Sequence, residues 1–175
     1  MVIIVESEFS RASEMNSVLY DWVCENIVYQ HKGRYKNSLG NRRTGFALHE
    51  QNIEEINELT SWIQHILPDV SKKFATKTGE NKVLYNVNSF EIAECWGVHY
   101  NRGESLIEHC HFPYSISFVY YVKTPKGTAP IIIENETHEV KEGQCIFFLA
   151  SQYHTVSPND CDGRCAIVGN ILYKF

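Results

Sequence analysis

In the stretch GESLIEHCHF, residues 103–112, two histidines stand two positions apart. The stretch reads as a β-strand, in which successive side chains point to opposite faces. His109 and His111 then share a face with Ile107, while Leu106, Cys110 and Phe112 take the other. Two imidazoles about 7 Å apart at Cα converge on one metal ion when a third ligand approaches from elsewhere. An exposed polar strand edge accounts for the pair equally well, so the choice rests on the downstream sequence. His154 follows GQCIFFLASQY, an aromatic strand leading into a short loop, and is the candidate third ligand. Arg164 comes ten residues later in GRCAIVGNIL, sharing a strand face with Ala166, Val168 and Asn170. If that face is the interior, an unpaired guanidinium there is costly. An anionic ligand resolves the cost, because guanidinium pairs with carboxylate through two parallel hydrogen bonds. Tyr100 and Tyr121, on other strands, can add hydroxyls to the same carboxylate. The face of Tyr121 also carries Ser115, Ser117 and Val119, a semi-polar lining suited to a pocket. His31, His49, His65 and His138 fall in loops, turns or helix faces and read as structural or solvated.

The elements that must position these residues divide the chain in two. In SRASEMNSVLYDWVCENIVY, Met15, Val18, Leu19, Trp22, Val23 and Ile27 recur at three- and four-residue steps, predicting a helix with one buried stripe and Ser10 or Ser13 as its cap. HKGRYKNSLGNRRTGFALHEQ breaks the period and reads as a loop or irregular hairpin. A second helix is expected from NIEE, capped by Asn52 with Glu55 three residues on, buried through Ile53, Ile56, Leu59, Ile63 and Ile66, and ended or kinked by Pro68. From about residue 83 the period falls to two, and roughly seven or eight short β-branched and aromatic segments alternate with Gly, Pro, Asn and Asp. The expected fold is α+β and mainly β: a double-stranded β-helix, or jelly roll, with N-terminal helices packed on one sheet. Residues 1–175 form one domain, with 1–80 as helical support and 83–175 as the core.

A chain of 175 residues at 43% hydrophobic composition is long enough for one well-cored domain. A net charge of −5 and the absence of a basic stripe argue against a nucleic-acid partner. The basic loop at Lys32, Arg34, Lys36, Arg42 and Arg43 reads as a solvated loop, with an acidic partner as the alternative. The opening MVIIVESEFS is too short and acidic for a secretory signal, and no apolar run reaches the length of a membrane span. A cytoplasmic protein with six free thiols is expected, and the lack of a CxxC pair speaks against structural zinc.

Taken in order, WGVHYNRGESLIEHCHFPYSISFVYYV, then FFLASQYH, then an arginine, resemble the iron(II)- and 2-oxoglutarate-dependent oxygenases, in particular their small prolyl-hydroxylase-like and phage-type members. The resemblance covers about residues 83–175. It implies a jelly-roll core, iron(II) held by His109 and His154, and 2-oxoglutarate bound through Arg164 with help from Tyr100, Tyr121 and Asn170. It also implies use of O2, support by ascorbate, and hydroxylation of a C–H bond, with a prolyl residue of a peptide or protein as the favoured substrate. Two positions depart from the family pattern. His111 stands where a carboxylate ligand is usual, and Ala166 where a serine is common. His111 is either a ligand in a variant triad or lies outside the ligand set. Two other readings compete. One is a cupin-type metal protein without 2-oxoglutarate, running a dioxygenation or isomerisation. The other is a non-catalytic jelly-roll binding protein.

Overall fold

Met15, Leu19 and Val23, at four-residue steps, are the residues that helix α1 (Ala12–Glu25) buries. The stripe is narrower than the sequence predicts, since Trp22 and Ile27 are half-buried and Val18 is exposed. Neither Ser10 nor Ser13 caps the helix. Arg11 occupies the cap, without a side-chain hydrogen bond to the helix backbone, and its guanidinium reaches Glu14 of the first turn at 3.0 Å. The structure is a computed structural model that describes residues 2–32, 39–78 and 89–174. Helix α2 (Glu54–Thr78) begins with the carbonyl of Ile53 accepting from the Asn57 amide at 2.9 Å, so Ile53 rather than Asn52 is its cap residue.

Pro68 does not end α2, which continues ten residues past it. A proline inside a helix costs about 3 kcal/mol. Beyond the interruption the stripe goes on through Val70 and Phe74, both almost fully buried, and each such side chain returns roughly 1.5–3 kcal/mol. Burial therefore overrides the local preference.

Eleven strands form two antiparallel sheets among the described residues. The larger has the order β1 (Ile4–Glu8), β9 (Gln144–Leu149), β6 (Ile116–Lys123), β11 (Arg164–Tyr173), β4 (Phe90–Tyr100), β3 (Leu39–Arg43), β2 (Tyr29–Lys32). The smaller runs β5 (Leu106–His109), β10 (His154–Val156), β7 (Ile131–Ile133), β8 (Glu136–His138). The part read as helical support thus also supplies β1 and the hairpin β2–β3. The expected strand start at residue 83 lies outside the described residues, and β4 begins at Phe90.

One core packs the helices against the outer face of the larger sheet, through residues such as Leu19, Val23, Ile56, Ile63, Cys95 and Ile167. A second core lies between the sheets, through Val98, Val119, Ile131, Ile133, Phe148 and Val168. Gly97 permits the first, because a Cβ there would come within 2.5 Å of Val23 Cγ2. No helix among the described residues is long and apolar enough to cross a membrane, and all six cysteines are free.

Candidate metal centre

Cross-strand register places the candidate residues. On the face of the larger sheet that looks toward the smaller one, Tyr100 pairs with Arg164, Val98 with Ala166, Trp96 with Val168 and Glu94 with Asn170. From the other side of β11, Ala166 pairs with Tyr121, Val168 with Val119 and Asn170 with Ser117. The face is therefore polar at both ends and apolar between. In the smaller sheet His154 of β10 lies directly opposite His109 of β5.

The three histidines meet. Their ligand nitrogens all lie within 4.8 Å of one another, and the ring centroids are 4.9 Å (His109–His111), 4.4 Å (His109–His154) and 5.0 Å (His111–His154) apart. The expectation that both members of the pair sit on one strand is corrected. Strand β5 ends at His109, and His111 reaches the cluster from the following turn, where its amide donates to the Ala150 carbonyl at 2.7 Å. His109 Nδ1 donates to the Ile107 carbonyl at 2.8 Å, and His154 Nδ1 lies 3.5 Å from the Gln152 carbonyl. The proton held at Nδ1 of His109 leaves its Nε2 lone pair free for a metal, while the longer His154 contact does not fix that ring's tautomer. His111 Nε2 is buried with no partner, and its Nδ1 lies 3.4 Å from Asn170 Nδ2, too long a contact to fix the ring's tautomer. Burial, reinforced by His109, lowers the pKa of His111 to about 4. Burial, then His109 and His111, lower that of His154 to about 3. Both rings are therefore neutral at pH 7, the form that ligates.

Arg164 is 2% exposed. Its guanidinium lies 4.9 Å from the ring centroid of Tyr100 and 5.7 Å from that of Tyr121. Its Nε and Nη1, and the Tyr121 hydroxyl beside it, are buried and close no hydrogen bond of good geometry. Burial raises the pKa of both tyrosines and the Arg164 charge opposes the rise, so both hydroxyls stay protonated donors. Asn41 Nδ2 donates to the Tyr100 oxygen at 3.1 Å. These groups and the histidines share an inner cavity of about 60 Å³ walled by Val98, Val119, Val156, Ala166 and Val168. Orphaned donors in an apolar-walled cavity next to three converging imidazoles fit an acidic ligand alongside a divalent metal ion.

Asn170 does not join them. It sits six residues along β11 from Arg164, about 20 Å at strand rise. There it accepts from Ser117 Oγ at 2.9 Å and donates to Glu94 Oε2 at 3.1 Å. The sequence counts Asn170 among the residues that help bind 2-oxoglutarate, and the structure sets it beside His111 rather than beside Arg164. This end of the face opens into an outer cleft of about 520 Å³, lined by Tyr29, Arg43, Phe46, Glu94, Trp96 and the histidine pair. Sequence reasoning missed Asn41, Phe46 and Glu94, and named Arg43 only within a basic loop, solvated or receiving an acidic partner. Asn41 and Phe46 sit in that loop or just beyond it, and Glu94 is one acid in a strand.

No protein-family model and no curated protein matches the chain. Among solved structures, a prolyl-4-hydroxylase from Pseudomonas putida superposes with a TM-score of 0.68 at 13% identity, covering 100% of this chain and 95% of that one. A viral collagen prolyl hydroxylase from Paramecium Bursaria Chlorella virus-1, solved with 2-oxoglutarate, gives 0.67 at 14%, covering 98% and 96%. The non-heme α-ketoglutarate-dependent epimerase SnoN from nogalamycin biosynthesis gives 0.70 at 9%, covering 98% and 78%. The fold is that of the 2-oxoglutarate–iron(II) oxygenases, in its prolyl-4-hydroxylase-like form.

Proposed function

We propose that this chain is an iron(II)- and 2-oxoglutarate-dependent oxygenase acting on a C–H bond. His109, His111 and His154 hold the iron(II), and Arg164, with Tyr100 and Tyr121, receives the distal carboxylate of 2-oxoglutarate. The observation that carries the reading is the convergence of three imidazoles beside a buried guanidinium with unpartnered donors. That guanidinium also favours this reading over a cupin-type site, in which it has no task.

Iron(II) and 2-oxoglutarate, when bound, supply the chemistry that turns O2 into an oxidant for a C–H bond. The chain's own residues do the rest. Neutral His111 and His154 offer lone pairs without first losing a proton. Arg164 and the two tyrosine hydroxyls orient the cosubstrate by its far carboxylate, so that its oxo-acid end faces the histidines. The apolar wall of Val98, Val119, Val156 and Ala166 excludes water from the inner cavity. Prolyl hydroxylases among the structural neighbours support a prolyl C–H as the bond oxidised.

The test is incubation of purified protein with iron(II), ascorbate and 2-oxoglutarate, with succinate measured against a metal-free control. Succinate that depends on iron and on Arg164 is the expected result. Absence of both succinate and 2-oxoglutarate binding would remove the proposal.

A further inference from the structure

Resting on that reading of the site, we propose that the substrate carries both a nitrogen cation and an acid group, as an amino-acid zwitterion or a peptide segment that reproduces one, recognised by Glu94 and Arg43 in the outer cleft. The face of β4, β11 and β6 has two polar ends, and the Arg164 end is taken by the cosubstrate. The other end is the row Glu94–Asn170–Ser117. Ser117 Oγ donates to Asn170 Oδ1 at 2.9 Å, and Asn170 Nδ2 donates to Glu94 Oε2 at 3.1 Å. Asn170 and Ser117 are buried, so the carboxylate is held in place from below. Neutral groups do all the holding. No Lys or Arg lies within 4.0 Å of Glu94 among the described residues.

Strand β3, the neighbour of Glu94's strand β4, carries a fixed cation. The Arg43 guanidinium sits 4.0 Å from the Phe46 centroid and 4.5 Å from that of Tyr29, and Nη1 donates to the Thr44 carbonyl at 3.3 Å. It too has no carboxylate within 4.0 Å among the described residues. Phe46 meets Trp96 edge-on at 5.1 Å, and Trp96 lies 5.7 Å from the His111 ring, so the wall leads directly to the metal-binding cluster. Tyr29, Phe46, Ile107 and Phe112, exposed apolar side chains, line the same cleft.

In the open cleft, water solvates both charges. A substrate large enough to fill about 520 Å³ and cover those apolar side chains removes that water. A charge covered by a neutral group is strongly penalised, whereas one covered by its opposite gains a charge-assisted hydrogen bond. A neutral substrate therefore incurs two penalties, and a singly charged one incurs one. The Glu94 row reaches His111 through Asn170 alone, whereas Arg43 reaches it through Phe46 and Trp96, so the nitrogen cation is the end nearer the oxidised carbon and the acid group the end farther from it.

The test measures substrate-stimulated succinate formation by the iron(II)- and 2-oxoglutarate-loaded protein. The panel is proline and the other free amino acids, their N-acetyl and C-amide forms, and capped pentapeptides with and without paired Lys and Glu residues. Forms that keep both charges should exceed their singly blocked counterparts in kcat/KM by at least about tenfold, the scale on which a charged pair discriminates. Glu94→Gln should abolish discrimination against the amine-blocked forms, and Arg43→Gln discrimination against the acid-blocked forms. Stimulation by free amino acids alone, or by charged pentapeptides alone, identifies the source. Equal turnover of blocked and unblocked forms by the wild type overturns the inference, as does discrimination that survives both substitutions. If calorimetry shows 2-oxoglutarate binding but no panel member raises succinate, the inference falls and the site reading stands. If the wild type binds no 2-oxoglutarate, both fall.

Discussion

Replacing Arg164 with methionine separates a ligand-receiving arginine from a structural one. The guanidinium is 2% exposed, with Nε and Nη1 unpartnered. Stacking on Tyr100 and Tyr121 returns about 2 kcal/mol when desolvated, against a desolvation penalty of several kcal/mol for an unpaired buried ion. Methionine has similar length and no charge. Arg164→Met should therefore stabilise the metal- and cosubstrate-free protein by about 1–3 kcal/mol. At about 2–4 °C per kcal/mol for a domain of this size, Tm rises by roughly 2–12 °C. The same change removes a bidentate charged pair with the cosubstrate, worth about 2–5 kcal/mol, or roughly 30- to 5,000-fold in Kd. Scanning calorimetry with and without 2-oxoglutarate reads both effects. The wild type at a hundredfold excess over Kd should gain about 2.7 kcal/mol, and the variant almost nothing. A Tm for ligand-free Arg164→Met several degrees below wild type would refute the reasoning, because the guanidinium would then be stabilising the fold by itself.

His154→Ala should drop bound iron, read by elemental analysis after dialysis, from near stoichiometric to near zero; full occupancy would take away its ligand role. His111→Asp should raise iron affinity if residue 111 is in the ligand set, and unchanged affinity would put it outside. Ligand-free protein should lose stability as pH falls from about 6.5 toward 3, because His111 (pKa about 4) and His154 (about 3) refuse protons that the unfolded chain accepts near 6.5. That contribution is complete above pH 6.5, and each site loses up to about 1.4 kcal/mol per pH unit below it, so a urea midpoint flat between pH 7.5 and 4.5 would contradict the burial of these rings. Gly169→Ala should destabilise by about 1–3 kcal/mol in urea titration, because the new Cβ would stand 2.4 Å from Phe118 Cε1 and 2.8 Å from the Glu94 carbonyl oxygen; a neutral result would mean that β4 and β6 can part locally.

Periodicity exposed the β-rich part of the chain, because alternation over β4, β6, β9 and β11 reflects burial against a second layer. It also assigned Arg164, Tyr121 and Asn170 to the cavity-facing side of their strands. Over β2 and β3 it left a loop or an irregular hairpin open, and the structure has the hairpin. LGNRR has no alternation and is a strand because β4 offers it an edge, with Arg42 opposite His99 and Arg43 opposite Val98. Pro68 misled because a local cost was weighed without the Val70 and Phe74 burial beyond it. The candidate site divides in the same way. Spacing nominated the three histidines, but where each side chain lies is a matter of register. Glu94 and Asn170 are 76 positions apart in sequence and meet only because β4 and β11 pair antiparallel with a bulge at Asn170/Ile171.

That pairing bears on the least conventional feature of the site. Under the proposed ligation, three neutral imidazoles leave iron(II), the Arg164 cation and a doubly ionised cosubstrate with one net positive charge, where a carboxylate ligand would leave none. Glu94 stands beyond Asn170, which donates to its carboxylate and lies 3.4 Å from His111 Nδ1. On the proposed reading the negative charge absent from the ligand set would stand in the cleft wall, acting on the iron through space and on the substrate by contact. An aspartate at 111 would neutralise the metal without meeting the substrate, whereas a carboxylate at 94 does part of both tasks. Under that proposal, moving the acid outward would leave three histidines to hold the metal and give the outer cleft a charge with which to select what enters it.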